Sequence, residues 1–175
     1  MRASGEGHAR AAAPDTWRLR PPRPEDYAWV VDRHRVFYQR EHGWDDRFMN
    51  LVEKVVGDFV RDFDPARERC WIAELEGRPV GSVFLVAHPE REGVAKLRLL
   101  LVEPQARGLG IGARLVAECT GFARAAGYRA MTLWTSSVLH AARRLYEAEG
   151  YRLVREEPEP MFNPGEMGQE WELEL

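Results

Sequence analysis

The sequence predicts an α/β protein of the α+β kind, a mixed and mostly antiparallel twisted sheet flanked by helices. Three observations carry that class. Strand-like apolar segments between Cys70 and Val102 are separated by short turns at Gly77-Arg78-Pro79 and around Pro89–Gly93, which antiparallel neighbours require. The last of these strands meets a proline and three alternating glycines and passes directly into helical sequence, followed by another strand at 129–135, so a βαβ unit sits mid-chain. Two amphipathic helical patterns precede the strands, and no repeat or internal linker interrupts them.

In chain order, Trp17–Pro21 reads as a short strand stopped by prolines. Pro24-Glu25-Asp26 then opens a helix, with proline at its first turn and acids near its positive dipole end, running to about Glu41. Asp45 caps a second helix whose apolar positions Phe48, Leu51, Val52, Val55, Val56, Phe59, Val60 and Phe63 keep one stripe until Asp64-Pro65. Strands follow at 70–76, 80–88 and 94–102. The helix entered at Gly108 carries Leu115, Val116, Cys119, Phe122, Ala123 and Ala126 on one side and ends at Gly127. Helix 138–149 with Gly150 beyond it, strand 151–156, an acidic proline-containing loop and a strand at 169–175 complete the chain.

Composition sets the limits. At 175 residues the chain suits one domain, expected over residues 16–175 behind a disordered tail, 1–15. No apolar run approaches the roughly 20 residues of a membrane span. The formal charge is -3, and the arginines are interspersed with carboxylates, so neither membrane nor nucleic acid is an expected partner. Cys70 and Cys119 stand apart in apolar surroundings, which predicts buried thiols and no metal site. The N-terminal residues lack an apolar signal core, so a cytoplasmic setting is expected.

The informative segment is Leu97–Gly112, LRLLLVEPQARGLGIG. Gly108, Gly110 and Gly112 let the backbone approach a ligand, and a helix start supplies unpaired N–H donors and a positive dipole end. That combination predicts a phosphate site. A Rossmann reading is formally allowed by Gly108-x-Gly110-x-x-Ala113, but the next strand ends in Leu133-Trp134-Thr135-Ser136 with no acid for a ribose, and antiparallel strands precede the motif. A P-loop lacks its G-K-[ST] ending.

Gln105-Ala106-Arg107-Gly108-Leu109-Gly110 resembles the Q/R-x-x-G-x-G/A motif of the GNAT family of acetyl-CoA-dependent N-acyltransferases, and Ala142–Tyr151 resembles its A-x-x-L-Y-E-x-x-G-F segment. The likeness spans about Trp17 to Leu175 and includes the acetyltransferase half of bacterial proteins that fuse a MarR-type DNA-binding domain to a GNAT domain, although no helix-turn-helix segment is present. The resemblance implies that the coenzyme A pyrophosphate lies on main-chain N–H groups of Arg107, Gly108, Leu109, Gly110, Ile111 and Gly112. It also implies a bulge at the end of the preceding strand, where main-chain groups of Leu101 and Val102 meet pantetheine and polarise the thioester. Tyr146 stands where the family places the tyrosine that protonates the departing thiolate.

Two family positions depart from the common pattern. Lys96 aligns with a frequent catalytic glutamate, so Glu41, Asp45 and Glu74 become the candidate bases, each otherwise an ordinary surface acid. Leu139, with His140 beside it, replaces an asparagine. On the acceptor side, Glu156-Glu157-Pro158-Glu159-Pro160 and Glu166 would attract a cationic amine or form a solvated acidic loop. Trp29, Phe37, Tyr38, Trp44 and Trp134 would line a pocket or fill the core, with His42–Asp45 the better pocket candidate. The expected function is direct acetyl transfer from acetyl-CoA to the amine of a small molecule or peptide, in a possible homodimer. The alternative is a non-catalytic acyl-CoA sensor.

Overall fold

The computed structural model describes residues 16–175; the expected tail, 1–15, lies outside the described residues. In order come β1 (Trp17–Arg20), α1 (Pro24–His34), a π-helical segment (Arg35–Glu41), α2 (Asp46–Asp62), β2 (Arg69–Leu75), β3 (Arg78–Ala87) and β4 (Val94–Val102). A 3-10 turn (Pro104–Ala106), α3 (Ile111–Ala125), β5 (Ala130–Ser136), α4 (His140–Glu149), β6 (Arg152–Pro158) and β7 (Met167–Glu174) follow. The seven strands form one sheet in the order β1-β2-β3-β4-β5-β7-β6. Every neighbouring pair is antiparallel except β4 with β5.

Local chemistry explains the helix starts. Pro24 opens α1, and Asp26 in its first turn takes 2.6 Å bonds from the Arg23 N–H and Arg20 Nη1, while Arg20 Nε reaches Glu74 at 2.6 Å. This arginine therefore ties β1, α1 and β2 together. The Asp45 carboxylate accepts the Arg47 N–H at 2.8 Å and caps α2 as expected. The first helix does continue to Glu41, but its last seven residues are π-helical, a widened turn that often accompanies functional sites. Val60 and Phe63 leave the apolar stripe, at 54% and 45% exposed, while the Phe59 ring stays 5.0 Å from Phe84.

Helices α1 and α2 cover one face of the sheet, where Val30, Val56 and Phe59 pack on Ile72 and Phe84. Helix α3 covers the other, where Leu115, Cys119 and Ala123 pack on Val83, Leu85, Leu97 and Met131. Burying a leucine of this kind stabilises by roughly 2 kcal/mol. Both cysteines are buried free thiols. No described helix is long and apolar enough to cross a membrane.

The feature that creates the site is a split in the sheet. Strands β4 and β5 pair only at Val94↔Ala130, Ala95↔Met131 and Lys96↔Thr132. Beyond Lys96 they part, leaving Leu97–Val102 and Leu133–Ser136 without mutual bridges. A bulge in β4 accompanies the split: the register with β3 shifts between Ser82 and Phe84, and Leu99 adopts φ 52°. Ser82 Oγ donates to the Leu99 carbonyl at 3.1 Å and holds this conformation. The expected bulge is present but lies at Leu99, ahead of Leu101 and Val102; a bulge adds local twist, which turns β4 away from β5.

Candidate functional site

At the wide end of the split, the Pro104–Ala106 turn leads into the glycine loop. Gly108 and Gly110 both adopt φ 81°, with Gly110 at the N-cap of α3. A Cβ on either would meet nothing within 4 Å, so left-handed backbone rather than crowding calls for glycine there. Gly112 is different. A Cβ on it would lie 2.7 Å from Leu145 Cδ1, so its missing side chain lets α3 and α4 pack, in place of the expected clearance for a ligand.

The first helical bond of α3 runs from the Arg114 N–H to the Gly110 carbonyl at 3.1 Å. The N–H groups of Ile111, Gly112 and Ala113 therefore lack helical acceptors. Those of Gly108, Leu109 and Gly110 likewise have no acceptor among the described residues. Arg107 leaves the expected donor set, because its N–H donates to the Pro104 carbonyl at 3.3 Å. Trp17 Nε1 holds the Leu109 carbonyl at 3.1 Å, fixing the loop against β1. A run of free donors at the start of a 15-residue helix fits a diphosphate.

Between the parted strands lies a cavity of about 680 Å³. The main chain along β4 is sorted by the antiparallel ladder. The Glu103 N–H donates to the Val80 carbonyl at 2.7 Å, so alternation turns the main-chain groups of Leu101 toward Ser82 of β3. Those of Val102 point the other way, toward the space that β5 has left. Of the two expected pantetheine contacts, Val102 has main-chain groups without partners among the described residues, and Leu101 is engaged in the ladder.

Tyr146 of α4 lines this cavity. It is 5% exposed, and burial, with Tyr38 and Cys119 nearby, raises its pKa above the ordinary phenol value. It therefore holds its proton at neutral pH. Opposite stands an aromatic wall in which Tyr38 stacks on Trp44 at 4.9 Å and Phe162 bridges Trp44 and Trp134 at 4.2 and 5.0 Å. Burial pushes the Tyr38 hydroxyl up to about 12. Trp29 packs beside Val30 outside the cavity, and Phe37 is buried beneath the Arg33 and Arg107 guanidinium groups at 5.2 and 5.7 Å.

The three candidate bases do not line this cavity. Glu74 is held by Arg18 and Arg20, whose hydrogen bonds bring its pKa down to about 2. Asp45 is occupied with capping and with Arg47, and Glu41 is exposed at the end of the π-helical segment. The structure instead brings His34 into the lining. Its Nδ1 lies 2.7 Å from the Val30 carbonyl and so carries the proton, leaving Nε2 as an acceptor; burial lowers its pKa to about 4. The i, i+4 spacing of Val30, His34 and Tyr38 on one helix face was the available signal.

Lys96 and Arg98, two residues apart on β4, also line the cavity. Of the acidic segment, Glu159 reaches it. Glu166 accepts Trp44 Nε1 at 2.9 Å, Glu157 pairs with Arg155 at 3.0 Å, and Glu156 takes the Gln169 amide. Residues expected in an acidic loop thus extend β6 to Pro158. Leu139 lines the cavity and His140 is exposed.

Comparison with known proteins agrees with this geometry. The family model described as Acetyltransferase (GNAT) family matches residues 19–151. The camello protein of Xenopus tropicalis, an N-acetyltransferase by description, is 31% identical over 121 residues, covering 69% of this chain and 54% of its own. The chain thus spans about half the length of the first curated relatives it matches. An uncharacterized N-acetyltransferase of Schizosaccharomyces pombe is 32% identical over 130 residues, covering 73% of this chain and 76% of that one. A candidate acetyltransferase of Salmonella typhimurium, solved with its cofactor acetyl-CoA, superposes with a TM-score of 0.71 at 19% identity, over 91% of this chain and 94% of that one.

Proposed function

The chain belongs to the acetyltransferase (GNAT) family, and on that premise we propose that it transfers the acetyl group of acetyl-CoA directly to the amine of a small molecule or peptide. The observation that carries this reading is the split between β4 and β5, which opens the cavity that holds Tyr146; the end of β4 beyond the split leads through the Pro104–Ala106 turn to the helix mouth at Gly108–Gly112. Bound there, acetyl-CoA supplies an activated acyl carbon. The N–H groups of Gly108, Leu109, Gly110, Ile111 and Gly112 hold the diphosphate, and the exposed Arg107 side chain adds charge beside them. The Val102 main chain, with the β4 segment around Leu101, aligns pantetheine; one preorganised donor to the thioester carbonyl is worth about 3 kcal/mol of barrier.

Tyr146, protonated at neutral pH, donates to the leaving thiolate. No carboxylate occupies the β4 position held here by Lys96, and His34 with its depressed pKa is a weak base. The acceptor amine therefore reacts in its neutral form, having lost its proton to solvent. Free-thiol release over a broad panel of amines tests the reading, with acceptor-dependent thiol expected. Clear acetyl-CoA binding without any such release would instead make the chain an acyl-CoA sensor, the reading that Lys96 in place of an acid supports. A cytoplasmic setting belongs to the same proposal. Exposed Leu153 and Val154 on the edge strand β6, at 43% and 55%, support a homodimer.

A further inference from the structure

Lys96 and Arg98 project from alternate positions of β4, so both side chains leave the sheet on one face, and both line the cavity that holds Tyr146. Each is half-buried. Neither makes an ion pair or a side-chain hydrogen bond among the described residues. Other cations at this face are paired: Arg91 with Glu172 at 2.9 Å, and Arg155 with Glu157 at 3.0 Å. The acids that act on the two cations form no ion pair with either among the described residues, although Glu90 and Glu170 line the same cavity. Asp58, facing Arg98, is bound by Lys54 at 2.5 Å and Arg61 at 2.7 Å; of those facing Lys96, Glu170 lies 3.7 Å from Arg155 and Glu90 is exposed.

A third unpaired group stands beside them. Thr132, directly opposite Lys96 in the β4–β5 register, is 1% exposed, lines the same cavity, and its Oγ1 has no hydrogen-bond partner among the described residues. Burying a cation or a hydroxyl without a partner is unfavourable, and two cations side by side add repulsion. An anion placed among them would relieve all three. We propose that Lys96, Arg98 and Thr132 form a receptor for a carboxylate of the acceptor, so that the amine acetylated here belongs to an amino acid or a related amino carboxylate. Two cations and a hydroxyl donor match the two oxygens of one carboxylate, with the guanidinium suited to bidentate contact.

This inference rests on the acetyl-transfer reading for the amine but not for the anion, and the test separates them. Thiol release is measured with the twenty common amino acids and β-alanine, each beside its carboxamide, and with phosphoethanolamine beside ethanolamine. Calorimetric titration of the same compounds into the coenzyme A-bound protein reports binding without turnover. The expected result is a kcat/KM at least tenfold higher for an acid than for its amide. Arg98→Gln and Lys96→Gln should each reduce that preference about tenfold, mainly through KM, with acetyl-CoA affinity unchanged. Thr132→Val should reduce it less.

Acetylation of amines with equal efficiency for acids and amides would overturn the carboxylate receptor while leaving acetyl transfer in place. A preference for phosphoethanolamine alone would reassign the receptor to phosphate and overturn the proposal as stated. Carboxylate binding that depends on Arg98, with no acetylation of any amine, would sustain the receptor and defeat the transfer reading. If no carboxylate binds to the coenzyme-bound protein, the receptor is refuted.

Discussion

The role proposed for Tyr146 rests on its surroundings. A phenol in water has a pKa near 10 and would donate to a thiolate only through chance encounter. Here burial raises that value and the cavity brings the ring to the split between the strands. Tyr146→Phe retains the ring contact with Tyr151 at 5.9 Å and loses only the donor. Turnover should fall at least tenfold with acetyl-CoA affinity within about twofold; equal rates in steady-state assays would remove Tyr146 from the mechanism. Gly110 acts through its backbone. With φ 81°, a valine there would be strained by about 1–2 kcal/mol and would place branched carbons at the helix mouth. Gly110→Val should abolish acetyl-CoA binding by titration while far-UV circular dichroism stays native-like, and unchanged affinity would refute the diphosphate site.

Elements position these residues. Helix α3 begins at the glycine loop, and α4 carries Tyr146, so the distance between the two helices sets the spacing between the proposed anion site and the proposed donor. A Cβ on Gly112 would lie 2.7 Å from Leu145 Cδ1, so at least the tip of that side chain would have to shift. Gly112→Val should therefore destabilise the fold by about 1–3 kcal/mol in chemical denaturation. It should also lower turnover more than a surface substitution of equal energetic cost. Adding Leu145→Ala makes room and should recover most of the stability; a double variant no better than the single one would place the strain elsewhere. The β4 bulge is the second positional device. Ser82 Oγ on the Leu99 carbonyl holds the φ 52° residue from which β4 turns away.

At the scale of the molecule, burial of titratable groups makes stability depend on pH. His34 drops from its ordinary 6.5 to about 4 on folding, because burial disfavours its charged form. Below pH 6.5 the unfolded chain binds a proton that the folded chain refuses until about pH 4. Stability is therefore lost across that window, by up to about 3 kcal/mol. Glu74, brought from 4.5 down to about 2 by Arg18 and Arg20, contributes stability present above pH 4.5 and lost as pH falls toward 2. The thermal midpoint should fall steadily from pH 7 to pH 3. His34→Gln should flatten the part between pH 6.5 and 4 and leave the lower part; an unchanged upper slope would show that His34 takes up its proton freely in the fold.

The sequence by itself determined the order of seven strands and four helices, the antiparallel run before the βαβ unit, and the glycine-led start of α3 on which the proposed anion site rests. Those features depend on short-range rules: apolar periodicity, turn residues, caps and glycines all act within a few positions of one another. It also singled out Tyr146, which lines the cavity, through a motif of adjacent residues. What only the tertiary structure decided depends on residues far apart in sequence. Glu74 reads as an available acid until Arg18 and Arg20, more than fifty positions away, are found holding it. Gly112 reads as clearance for a ligand until Leu145 is seen beneath it. Lys96 stood in the sequence as a missing base. Its neighbour Arg98 is legible along the same strand, but Thr132 lies across from Lys96 on β5, and that these groups line one cavity without partners among the described residues can be recognised only after every nearby group has been placed.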